Sequence, residues 1–115
     1  MKSQHVERPW GSYKVLEDSD SFKVKHLVIR PKQRISYQYH MKRTEHWYVV
    51  DGIAEVMLED KIHVLPPLHS VEIPSGNKHT VFNSGNKDLH IIEVQTGTYF
   101  GEDDIIRLND IYGRE

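Results

Sequence analysis

The sequence predicts an all-β protein, a sandwich or barrel of nine or ten short strands. Two observations lead there. Apolar residues recur with period two in short runs, as along Phe22–Ile29 (FKVKHLVI), rather than at helical spacing. Turn-forming clusters break those runs at short intervals: Asp51-Gly52, Glu59-Asp60-Lys61, Pro74-Ser75-Gly76 and Asn83-Ser84-Gly85.

Taken in order, the first clear strand, Phe22–Ile29, ends at Arg30-Pro31, where proline removes a ladder donor. Residues 34–40 alternate as well, which places Arg34, Ser36, Gln38 and His40 on one face and Ile35, Tyr37 and Tyr39 on the other. A strand over 45–50 runs into Asp51-Gly52, a hairpin dipeptide. A second hairpin joins Ala54–Leu58 to 62–65. Strands over 71–73, 79–82 and 89–96 follow. The tail differs: Glu102, Asp103 and Asp104 precede Ile105, Ile106, Leu108 and Ile111, an apolar set at helical spacing, with Gly113 as a stop. It predicts a short closing helix packed on the barrel.

The 115 residues fit one domain, taken as 1–115, and no repeat or Gly/Ser linker divides them. The absence of cysteine excludes disulfides, thiolate zinc sites, iron–sulfur clusters and a cysteine nucleophile. No apolar run approaches the ~20 residues of a membrane span, and the N-terminus lacks the apolar stretch of a signal peptide, so a cytoplasmic protein with no membrane partner is expected. Fifteen Lys and Arg against 17 Asp and Glu argue against bulk nucleic-acid binding. Eight histidines stand out, and any transition-metal site here must use imidazole, carboxylate and amide ligands.

Gln38 and His40 share a strand face, Glu45 opens the next strand, and His79 heads a later one. Taken alone, Gln-x-His reads as ordinary polar surface. Were the four residues to converge in a barrel mouth, they would suit zinc, manganese, cobalt, nickel or iron(II), and magnesium less well.

Order and spacing sharpen this. Gln38-x-His40, four residues, Glu45, six residues and Gly52 resembles the first motif of the cupin superfamily, and Pro74-x-Gly76-x-x-His79-x-x-x-Asn83 resembles the second. Gln38 stands where cupins usually carry a first histidine, and Lys32 and Leu68 stand at the motifs' leading glycines. A finer match covers residues 8 to 114. Arg8-Pro9-Trp10-Gly11, the stretch from Gln38 through Arg43 to Trp47, Glu93-Val94-Gln95-Thr96-Gly97 and the tail from Gly101 resemble the cupin domain of type II phosphomannose isomerases. Glutamine is usual at position 38 in that branch. The adjacent histidines it often shows before the arginine read His40-Met41-Lys42 here.

The resemblance implies a double-stranded β-helix that binds a divalent metal through Gln38, His40, Glu45 and His79. It implies a metal-dependent isomerase interconverting mannose 6-phosphate and fructose 6-phosphate through an enediol, standing alone without the nucleotidyltransferase domain of larger relatives. For that chemistry the metal is the Lewis acid. Glu93, sharing a strand face with Gln95, is the candidate base, and His46 is turned away from Glu45. Arg43, between two ligands, is the candidate phosphate or enediolate clamp. Lys25, Arg34, Gln95 and Arg107 are candidate substrate contacts, although a single surface Lys or Arg is by default solvated. His5, His26, His63, His69 and His90 match no ligand position. Trp10 and Trp47 read as packing anchors, Trp47 as a possible pocket floor. The partner expected is a sugar phosphate, and the chain itself as a homodimer. The competing reading is a non-catalytic sugar- or nucleotide-sugar-binding cupin; an iron(II) dioxygenase is disfavoured by Gln38.

Overall fold

The computed structural model describes residues 4–109. Eleven strands form two antiparallel sheets: β1 (Gln4–Arg8), β2 (Gly11–Asp18), β3 (Phe22–Ile29), β4 (Tyr37–His40), β5 (Arg43–Asp51), β6 (Ala54–Leu58), β7 (Lys61–Leu65), β8 (Ser70–Ile73), β9 (His79–Asn83), β10 (Leu89–Gly97) and β11 (Ile105–Asn109). One sheet has the order β1-β2-β3-β10-β5-β8, the other β11-β4-β9-β6-β7. This is the all-β architecture that the periodicity predicted, and its two sheets are compatible with the jelly roll that the cupin resemblance implied. No helix among the described residues is long and apolar enough to cross a membrane.

The alternation along the central strands builds the core and the site at once. Inward residues of β5 run Arg43, Glu45, Trp47, Val49, and those of β10 run Leu89, Ile91, Glu93, Gln95. Antiparallel register sets Ile91 opposite Val49, Glu93 opposite Trp47 and Gln95 opposite Glu45. One half of the interior is therefore aliphatic, with Ile29, Val49, Val56, Val81, Leu89 and Ile91 fully buried. The other half is polar. Where β10 ends against the start of β5, Gly97 has φ 148°, and a Cβ there would lie 2.4 Å from the Lys42 carbonyl oxygen. Only glycine allows that approach.

Three local expectations are corrected. Among the described residues the tail forms no closing helix: Glu102–Asp104 make one 3₁₀ turn, and Ile105–Asn109 pair with β4 as β11. The β-branched Ile105 and Ile106 suit a strand, and pairing them satisfies the edge of β4, which outweighs the helical spacing of the apolar residues. The expected Ile111 and Gly113 positions lie outside the described residues. Asp51-Gly52 is not a hairpin turn, because β5 and β6 belong to different sheets; Gly52, at φ 91°, carries the chain across, and its N–H donates to Asp51 Oδ1 at 3.0 Å. The β6–β7 hairpin does form, through Glu59 and Asp60, both with positive φ.

The third correction concerns 34–40. Regular pairing begins only at Tyr37, and Arg34 makes an isolated bridge with Phe82. Ile35 and Ser36 are both buried, so the alternation slips before Tyr37. Arg34 is exposed and lines a surface groove with Tyr37, Met57 and Thr80, away from the face of Gln38.

Candidate metal centre

Four strands deliver the polar cluster. His40 ends β4, Arg43 and Glu45 open β5, His79 opens β9, and Glu93 and Gln95 lie midway along β10. All six are buried, and Glu45, His79 and Gln95 nearly completely. Ligand atoms of His40, Glu45 and His79 all lie within 4.8 Å of one another. His40 Nε2 is 3.2 Å from Glu45 Oε2, and His79 Nε2 is 3.7 Å from Glu45 Oε1. Gln38 pairs with His79 in register, lines the adjoining cavity, and its Oε1 accepts from Ser36 Oγ at 3.1 Å.

The donor set fits a divalent metal. Burial lowers His79 to about 4 and His40 to about 3, the latter aided by Arg43, so both imidazoles are neutral at pH 7, as ligation requires. His79 Nδ1 lies 2.9 Å from the Asn77 carbonyl, which can only accept, so the proton sits on Nδ1 and the Nε2 lone pair faces the Glu45 carboxylate. That Nε2 is buried without a hydrogen-bond partner, as is His40 Nδ1. A lone pair facing a carboxylate in the interior is repulsive unless a cation lies between them.

Arg43 and Trp47 hold Glu45. Arg43 Nε donates to Glu45 Oε2 at 2.9 Å, and Arg43 Nη1 reaches the Phe100 carbonyl at 3.3 Å. Burial works against the guanidinium charge, but Glu45, Glu93 and Glu102 outweigh it and raise its pKa. Trp47 Nε1 donates to Glu45 Oε1 at 3.2 Å and to Glu93 Oε2 at 2.9 Å. Gln95 Nε2 donates to Glu93 Oε1 at 2.7 Å, while Gln95 Oε1 is buried without a partner. Burial first, then the charge of Glu45, pushes Glu93 up to about 7, which leaves it about half protonated at neutral pH.

The structure brings Gln38, Arg43, Glu45, Glu93, Gln95, Lys25 and Arg107 around one cavity beside His40 and His79. It leaves Arg34 outside and His46 exposed, 3.6 Å from Glu72. Two charged cavity residues escaped the sequence reading. Glu102, expected in a helix, pairs with Lys25 at 3.1 Å, and Arg8 lines the cavity beside Tyr13. The Arg8-Pro9-Trp10-Gly11 match was the one available signal for the second.

Residues 1–110 match the family described as "Mannose-6-phosphate isomerase C-terminal". The chain belongs to that family. It is 49% identical over 109 residues to the alginate biosynthesis protein AlgA of Pseudomonas aeruginosa, covering 95% of this chain and 23% of that protein. It is 41% identical over 111 residues to a mannose-1-phosphate guanylyltransferase of Salmonella montevideo, covering 96% and 24%. In fold it is similar to the structure of KdgF from Halomonas sp., with TM-score 0.77, 20% identity and 90% of each chain covered.

These relatives overturn the expectation of a self-contained mannose 6-phosphate/fructose 6-phosphate isomerase. The chain spans under a quarter of either relative, one is named for guanylyl transfer, and the family itself is that of a C-terminal part. What the chain matches is a domain of longer mannose-related proteins, not an isomerase in its own right.

Proposed function

We propose that this mannose-6-phosphate isomerase C-terminal domain is a metal-centred module that binds a phosphorylated mannose-type sugar. It is the binding-module alternative, carrying a metal. The observation that carries the reading is the cluster of His40, Glu45 and His79, with the His79 Nε2 lone pair aimed at a buried carboxylate. With Gln38 these residues would hold zinc, manganese, cobalt, nickel or iron(II) in preference to magnesium. A bound ion supplies a Lewis acid for a sugar oxygen.

The chain's own groups act around it. Arg43 fixes the Glu45 carboxylate through its Nε donor. Glu93, half protonated near neutrality, donates to or accepts from a sugar hydroxyl, and the unpartnered Gln95 Oε1 accepts from another. Lys25 and Arg107, which line the same cavity, supply cationic charge for phosphate.

Calorimetry tests this with mannose 6-phosphate and mannose 1-phosphate, titrated into protein loaded with Mn²⁺, Co²⁺ or Zn²⁺ and into chelator-treated protein. Binding that needs both the metal and the phosphate supports the reading. Equal binding of unphosphorylated mannose, or no binding with any metal, refutes it.

A further inference from the structure

We propose that Glu102 is an internal stand-in for the ligand's phosphate: its carboxylate pairs with Lys25 in a cavity that Arg8 and Arg107 also line, and a phosphomonoester displaces it from there. This rests on the sugar-phosphate reading above.

Lys25 is only 4% exposed, which is unusual for a lysine without a built environment. Its Nζ lies 3.1 Å from Glu102 Oε2 and 4.2 Å from the Tyr13 ring centroid. Arg107 lines the same cavity, yet its Nε is buried with no hydrogen-bond partner. A buried guanidinium donor without an acceptor is costly, and a carboxylate with two oxygens leaves it unmet. A phosphate offers three terminal oxygens, enough for Lys25 and Arg107 together.

Charge within the cavity points the same way. Arg8, Lys25, Arg43 and Arg107 face Glu45, Glu93 and Glu102. Arg43 is committed to Glu45, and the other three cations outnumber the remaining carboxylates, Glu93 and Glu102. With Glu102 withdrawn, the cations near Lys25 are in excess and select an anion.

Space favours the withdrawal. The void beside Glu102 is about 50 Å³, room for a few waters, so a phosphate reaching Lys25 takes the place of the carboxylate. Glu102 sits in a single 3₁₀ turn between β10 and β11, so a local shift opens the site without breaking a sheet. Asp104 and the Phe100 carbonyl anchor the two sides of that turn, to the Met41 and Lys42 amides and to Arg43.

The test titrates inorganic phosphate, mannose 6-phosphate and mannose into metal-loaded wild type, Glu102→Gln, Glu102→Ala and Arg107→Met at constant ionic strength. Both Glu102 variants should bind inorganic phosphate roughly 5- to 10-fold more tightly than wild type. Arg107→Met should weaken it, and the gain at Glu102 should be larger for inorganic phosphate than for mannose. Glu102 variants that bind phosphate no better than wild type overturn the proposal, as does an Arg107→Met variant of unchanged phosphate affinity. Tighter phosphate binding with no sugar-phosphate binding in any variant would uphold the displacement and sink the sugar-phosphate reading.

Discussion

Glu45 and Glu93 share one donor, the Trp47 indole N–H, which lies 3.2 Å from Glu45 Oε1 and 2.9 Å from Glu93 Oε2. Two buried carboxylates this close cannot both ionise cheaply, and the shared donor and Arg43 set which one keeps its proton. Trp47→Phe removes the donor and keeps the ring. It should cost about 1–3 kcal/mol in a chemical melt and move the Glu93 titration, followed by carboxyl-carbon NMR, above its wild-type value of about 7.

Glu93 also makes stability depend on pH. Its folded-state pKa is raised, so the folded protein binds the extra proton between pH 4.5 and about 7, and the stabilisation is lost as pH rises through that window. In metal-free protein, Glu93→Gln should match wild type near pH 5. Above pH 8 it should be more stable, by up to about 3 kcal/mol. Thermal melts of both proteins at the two pH values decide it; a constant difference would remove Glu93 as the titrating group.

The histidines act in the opposite direction. His40 and His79 are neutral in the fold but charge when unfolded below about pH 6.5, so stability should fall as pH drops from 6.5 towards 4. A bound metal should deepen that loss, because protons compete for the same nitrogens. His79→Ala should lower metal content, measured by elemental analysis, by more than about tenfold. Chelator should lower the melting temperature of loaded wild type and leave that of His79→Ala unchanged.

Leu68 is 73% exposed and has φ 73°. A left-handed leucine is strained, and its N–H still donates to the Val49 carbonyl at 2.8 Å. Leu68→Gly should therefore stabilise the protein by about 1 kcal/mol in urea melts, opposite in sign to most substitutions.

That residue also shows how far the sequence could be read. Lys32 and Leu68 departed from the glycines of the cupin motifs, and both hold left-handed backbone, φ 64° and 73°. The motif recorded a backbone demand that these side chains meet under strain. His40, Glu45 and His79 were legible because strand alternation and motif spacing agree. Glu93 and Gln95 were legible because they share a face of β10. Arg34 was misplaced because alternation fails where backbone pairing lapses, at a single isolated bridge. Glu102 was hidden by the acidic, helix-like tail, since its role depends on Lys25, 77 residues away in the chain.

Strand β10 lies between β3 and β5 in the finished sheet, yet β5 is made about 40 residues earlier and β3 earlier still. As the chain emerges from a ribosome, those two strands wait with facing edges unpaired. The edges offer themselves to other chains until residue 89 onward fills the gap. Glu93 and Gln95 arrive on the strand that closes it. A chain stalled before that point lacks these groups as well as its central strand, so the strand that completes the sheet is also the one that brings Glu93 and Gln95 to the pocket.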